Sequence, residues 1–406
     1  MNAKAWISGA LAVTVAISLG ACGDDDDAAP DTTGGAIETT SQAPTSEPPA
    51  STVAVADTTE LTVETTEQPV ESTEPPVVTT APASPAAWEQ VVPGGDCNCA
   101  DGSEFSFWVR EADPTKVVLF FQGGGACFSA ETCSLTNGTF KATTGSDDDP
   151  TGNGGLFDDT DPRNPVADWS VVFVPYCTGD VHIGNAVHEY APDLVVHHVG
   201  AVNANAAIDE LVARFPDADR VLVTGESAGS VPSPLYAGVV SDQLPDADIA
   251  VLADSSGAYG DNPGVNALIG DLWGTMNAVP PWPENADVTP ETWSIPGLYV
   301  RAGRHDPSIT FARHDFAHDT TQEFFASITG STGGDVLAAI DANEVLIESS
   351  GVPLASWVAP GSSHTVIGSS GFYTETVNGV ALVDWVTALV TDQPVPDVHC
   401  TACEGG

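Results

Sequence analysis

The amino-acid sequence predicts an α/β fold built on a mostly parallel, doubly wound sheet with helices on both faces. Three observations carry that reading. Short apolar, β-branched runs recur after residue 87. Their apolarity is continuous rather than alternating, as expected of strands buried on both sides. Stretches of helical period fall between them, so that strand and helix alternate.

In chain order, strands are expected at 117–121 (VVLFF), 170–176 (SVVFVPY), 220–225 (RVLVTG), 249–255 (IAVLADS), 297–303 (GLYVRAG) and 355–361 (ASWVAPG). Helices are expected at 203–215, 228–240, 311–328 and 377–391. An aromatic, proline-containing insertion at 270–293 brings Trp273, Trp282 and Trp293 between two of the strands. It is expected either to cap a site or to pack onto its own domain.

What precedes this domain is of a different kind. Residues 1–21 hold one lysine, Lys4, and then an apolar stretch too short for a typical spanning helix, which reads as an export signal. The signal ends in LGAC, which resembles the bacterial lipobox and marks Cys22 as the expected lipid anchor. Residues 22–86 are rich in Thr, Pro and Glu and almost free of aromatic residues, so they cannot bury enough apolar surface to offset the entropy of ordering. They are expected to be a disordered tether that holds a domain at 87–406 away from the outer face of a bacterial cell membrane.

Ten Lys and Arg against 57 Asp and Glu leave a formal net charge of −47. Such a field repels nucleic acid and other polyanions, so these are excluded as partners. Eight cysteines in an exported chain point to disulfides. With Cys22 set aside, seven remain: Cys97, Cys99, Cys127, Cys133, Cys177, Cys400 and Cys403. At least one must stay unpaired. Cys127 and Cys133 are expected to bridge and to staple the glycine-rich segment FFQGGGACFSAETC, and CTAC at 400–403 is read as structural rather than redox-active.

The strongest chemical signal is VLVTGESAGS, in which 225–229 fit G-x-S-x-G between a strand pattern and a helical one. That context places a serine, Ser227, on a strained strand-to-helix turn as a nucleophile. A serine needs a base, and the base an orienting acid, expected in the order Ser, acid, His at successive strand ends. Asp306 and His364 fit that order, with Asp254 as a rival acid and His305, His314 and His318 as rival bases. The spacing of His314 and His318 in HDFAH would suit a metal on a helix, but a solvated helix face is the stronger reading. The glycine triplet lacks the Lys-Ser or Lys-Thr pair of a phosphate loop. It is read instead as backbone brought close to an oxyanion.

Together, FFQGGGACFSAETC, NPVADWSVVFVPYCTGDVHIG, HHVGAVNANAAIDEL, GESAGS, the RHD at 304–306 and the SSH at 362–364 resemble the pectin acetylesterase and Notum family of carboxylesterases. The resemblance implies an α/β-hydrolase fold, no cofactor, and removal of an acyl group, acetyl being expected, from an O-ester such as an acylated glycan. It implies Ser227 as nucleophile, Asp306 as acid and His364 as base, with Gly125, Ala126 and Ala228 as backbone oxyanion donors. It also implies a small Cys127–Cys133 loop and a bridge from Cys177 to Cys97 or Cys99. The chain departs from plant and animal members at Ala126, where they typically carry Trp, and at Glu226, Ser230 and His182. A monomeric, membrane-tethered esterase is therefore expected; another serine hydrolase, such as a lipase or peptidase, or a non-catalytic binding lipoprotein are the alternatives.

Overall fold

The structure, a computed structural model, describes residues 87–330 and 335–403. The export signal at 1–21, the Cys22 anchor and the tether at 22–86 lie outside the described residues.

Thirteen strands are present among the described residues: β1 (Trp88–Val91), β2 (Phe107–Arg110), β3 (Asp113–Phe121), β4 (Trp169–Val174), β5 (Ala186–Ala191), β6 (Leu194–His198), β7 (Arg220–Glu226), β8 (Asp248–Asp254), β9 (Thr310–Phe316), β10 (Leu354–Ala359), β11 (Thr376–Val377), β12 (Val380–Ala381) and β13 (Val398–His399). The helices are α1 (Gly200–Arg214), α2 (Ser233–Gln243), α3 (Pro263–Trp273), α4 (Ile295–His305), α5 (Thr320–Ile328), α6 (Val336–Ser349) and α7 (Leu382–Val390).

Nine strands form one sheet in the order β1-β2-β4-β3-β7-β8-β9-β10-β13. It is parallel from β4 to β13, and β1 and β2 add an antiparallel edge. Successive side chains of a strand face opposite sides, and β3 divides accordingly. Val117, Leu119 and Phe121 enter one core with α1, α2 and α4, whereas Val118 and Phe120 enter the other with α7. Two apolar cores, one on each face, are what the continuous apolarity of these strands requires. This is the α/β-hydrolase architecture.

Two expected elements are corrected. Residues 297–303, expected as a strand, lie in α4. Ser294 caps that helix by accepting from the N–H of Gly297, Pro296 sits in its first turn, and Leu298, Tyr299 and Ala302 give it a buried helical stripe. Residues 311–328, expected as one helix, begin as the central strand β9 and become helical only in α5. The run Thr310–Phe316 reads as polar because it carries Arg313, His314 and Asp315, yet all three are buried. Arg313 pairs with Asp315 at 2.8 Å, and His314 with Asp254 at 2.7 Å. Charges satisfied within the strand and across to its neighbour disguised an interior strand. The consequence reaches the site, because the loop that follows this strand carries a different acid.

Candidate active site

Ser227 follows the last residue of β7 with φ 54°, a left-handed conformation that is strained for a side-chain-bearing residue. The glycines around it are required by contact. A Cβ on Gly229 would lie 2.0 Å from the carbonyl oxygen of Phe121, and one on Gly123 would lie 2.9 Å from the Cβ of Ser227. The glycine loop after β3 thus runs directly against the serine turn, brought there by the pairing of Phe121 with Gly225 in neighbouring strands. Gly125, at φ 80°, is where that loop bends.

The loop is held from three sides. Cys127 bridges Cys133, the Cys127 N–H donates to Gly179 O at 2.9 Å, and Trp273 Nε1 donates to Cys127 O at 2.7 Å. Cys99 rather than Cys97 partners Cys177, Cys400 bridges Cys403, and Cys97 is buried and free. Three disulfides among the described residues mark an exported protein.

His364 lies in the loop after β10. Its Nδ1 meets Asp319 Oδ2 at 2.7 Å, and Asp319 is fully buried. Asp319 is also the N-cap of α5, its Oδ1 accepting from the N–H groups of Thr321 and Gln322, while Gln322 Nε2 donates to Oδ2 at 3.1 Å. A carboxylate with this many donors is fixed in place. With Nδ1–H donated to it, the imidazole turns a basic Nε2 inward. That Nε2 is buried and, among the described residues, has no hydrogen-bond partner.

Asp306, expected as the acid, is elsewhere. It terminates α4 and accepts from the N–H and hydroxyl of Ser308 at 3.0 and 2.6 Å. The strand that was expected to deliver it is a helix, so the strand-end position falls to Asp319. Asp254 does not reach the His364 ring either; it bonds His314. His314 is a buried β9 residue, and its neighbour His318 follows the strand with its N–H on Gly361 O. HDFAH is therefore not a helix face. His305 lies between Asp242 and Glu284, stacked on Trp282.

Gly125, Ala126, Ser227 and Ala228 line one cavity of about 130 Å³. Its remaining wall is largely apolar: Val181, Ile183, Val231, Ile269 and Trp273, with Phe325 from α5. The insertion contributes Trp273 and Trp293 to this wall, while Trp282 packs instead on Gly238 of α2 and donates Nε1 to Asp242. Val181 and Ile183 are presented by a loop organised around Asp180. Its carboxylate accepts from Thr178 Oγ1 and from the N–H groups of His182 and Gly200. Burial pushes His182 down to about 4, so it is a neutral packing residue whose Nε2 donates to Gln122 O.

Sequence reasoning missed Asp319 and Phe325. Asp319 had one available signal: it precedes Thr320 and Thr321 as a helix N-cap.

A model of the pectinacetylesterase family matches residues 91–269. The chain is 34% identical over 140 residues to the palmitoleoyl-protein carboxylesterase notum2 of Xenopus laevis, covering 32% of this chain and 27% of that protein. It is 31% identical over 174 residues to the human palmitoleoyl-protein carboxylesterase NOTUM, covering 39% and 33%. With pectin acetylesterase 4 of Arabidopsis thaliana it shares 26% over 170 residues, covering 41% and 39%. The chain thus spans between about a quarter and two fifths of the length of these curated relatives.

Proposed function

The chain belongs to the pectinacetylesterase family, and from that premise we propose that it is a serine carboxylesterase that removes O-linked acyl groups through a Ser227–His364–Asp319 triad. The observation that carries the reading is the pairing of His364 Nδ1 with buried Asp319, which leaves Nε2 buried and without a hydrogen-bond partner among the described residues, while Ser227 stands on a strained elbow. Ser227 attacks the ester carbonyl as His364 takes its proton, and Asp319 stabilises the imidazolium. The backbone N–H groups of Gly125, Ala126 and Ala228 receive the oxyanion, each such donor contributing roughly 10²–10³ in rate. His364 then protonates the leaving alcohol, and water releases the acid from the acyl-enzyme by the same route.

The relatives are named for two acyl groups, acetyl and palmitoleoyl. The cavity favours a chain longer than acetyl. Its volume of about 130 Å³ approaches the roughly 150 Å³ of an engineered apolar cavity that holds benzene. An acetyl methyl would leave most of that apolar wall uncovered. We place the enzyme on exported, acylated substrates, as a monomer tethered through a lipidated Cys22, its acidic surface excluding polyanions.

The test is hydrolysis of p-nitrophenyl esters from acetate to octanoate by the full chain beside Ser227→Ala. Preference for butanoate to octanoate, abolished by the substitution, is the expected result. Equal activity of the two proteins removes Ser227 as nucleophile, and a preference for acetate removes the longer acyl chain.

A further inference from the structure

Asp254 and His314 are left unused by the triad, yet they occupy the most deliberately buried polar arrangement in the sheet. Strand register places Glu226, Asp254, His314 and Trp357 in one row across β7, β8, β9 and β10 at the carboxyl edge. Along that row His314 Nδ1 meets Asp254 Oδ1 at 2.7 Å and Nε2 meets Glu375 Oε1 at 2.9 Å. Trp357 Nε1 donates to the same Glu375 oxygen at 2.8 Å. An imidazole with a carboxylate on each nitrogen must donate twice and is therefore the cation. Burial opposes that charge, but the two carboxylates outweigh it and raise His314 to about 10.

A buried ion group of this kind costs desolvation that a hydrophobic cluster would avoid, and fixing one geometry is its best-attested use. Here the other end of Asp254 indicates what is fixed. Its Oδ2 accepts from the N–H groups of Val366 and Ile367 at 2.7 and 3.0 Å. Next to it, Ser255 holds a strained φ of 71° and is fully buried. Its single hydroxyl proton is within hydrogen-bond reach of both Asp254 Oδ1 and the carbonyl oxygen of His364 itself. The backbone of the histidine loop is thus gripped at residues 364, 366 and 367 from one carboxylate and its neighbour.

We propose that the Glu375–His314–Asp254 row, with Ser255, is a positioning device that anchors the backbone of the His364 loop, while Asp319 orients the imidazole ring. The proposal rests on the Ser227–His364 reading of the site for its catalytic consequence, but not for the tether itself. It divides between two carboxylates what a single triad acid cannot do. Asp319 fixes the tautomer and rotation of the ring, and Asp254 fixes where the ring's own Cα stands.

The experiment compares the full-length wild type with Asp254→Asn, His314→Gln and Ser255→Ala. It reads kcat and KM on an aryl ester and hydrogen exchange at Val366 and Ile367. Misplacement of a reacting group by about 1 Å costs on the order of 10² in rate, so Asp254→Asn should lower kcat by about 30- to 100-fold with KM within about twofold. Exchange at the two amides should accelerate at least about tenfold as their acceptor weakens. Ser255→Ala leaves the ion row intact and should lower kcat by a smaller factor, about tenfold on the same argument. If Asp254→Asn fails to fold, Ser255→Ala decides. A folded Asp254→Asn that keeps kcat within about threefold of wild type, or loses kcat while Val366 and Ile367 stay protected, overturns the proposal, and so does a Ser255→Ala whose kcat stays within about threefold of wild type. A wild type that hydrolyses no ester overturns the esterase reading instead, and the exchange measurement still decides the tether.

Discussion

Asp319 Oδ2 and His364 Nδ1 stand 2.7 Å apart across 45 residues of chain, joined because β9 and β10 are parallel neighbours whose carboxyl ends open on the same side. The same carboxylate starts α5. One residue therefore caps a helix and orients the proposed general base.

Replacing Asp319 by Asn should lower kcat by about 10³–10⁴-fold, the scale seen when a triad acid is lost and the imidazole adopts the wrong tautomer. Asp306→Asn, which alters a carboxylate held by Ser308 and Ser241 at a helix end, should leave kcat within about twofold. Steady-state kinetics on one aryl ester separates the two acids directly.

Filling the cavity should change chain-length preference without touching the triad. Ile269 lies on the face of α3 that forms the wall. Ile269→Trp should lower kcat/KM for octanoate by tenfold or more, roughly 1.4 kcal/mol or above, and leave acetate nearly unchanged. A uniform loss on both esters would place Ile269 outside the acyl site.

The Cys127–Cys133 bridge closes a loop with a sequence separation of 6, next to the glycine backbone assigned to the oxyanion. Loop-closure entropy for so short a ring gives about 2 kcal/mol. The double Ser variant should lose about that much in denaturant unfolding. Its kcat should fall more than its KM rises, because the loosened groups act on the transition state.

Glu226, beside Ser227, links stability to pH. Burial first and the Asp254 charge second push it up to about 7 from 4.5, against the opposing pull of His364. The folded state thus holds a proton that the unfolded chain releases above pH 4.5, so stability falls as pH rises from 4.5 through 7. Glu226→Gln should match wild type near pH 4 and exceed it by pH 8, on the order of 3 kcal/mol at full expression of the shift. Thermal unfolding at the two pH values checks the sign; a larger advantage at pH 4 would overturn it.

Much of this molecule was legible before any coordinates. The runs at 117–121, 170–176, 220–225, 249–255 and 355–361 are strands or contain them, because an interior parallel strand has no solvent face and shows it as unbroken apolarity. The serine turn was legible because its glycines are dictated by contacts a few residues away. The strand β9 was not, since Arg313 and Asp315 pair with each other inside it and His314 is paired with Asp254 from a neighbouring strand, a partner that sequence spacing does not reveal. The consecutive Leu298, Tyr299 and Val300 of the short helix α4 mimicked the strand that β9 supplies.

By itself the sequence determined the sheet's interior, the serine turn, the loop that carries His364 and the bridged glycine segment, all set by local steric need or by burial on both sides. Tertiary structure alone decided which acid meets His364, which cysteine meets Cys177, and what Asp254 bonds. Those are pairings across tens of residues, and a carboxylate or thiol carries no local mark of its partner until strand register brings the two within bonding distance.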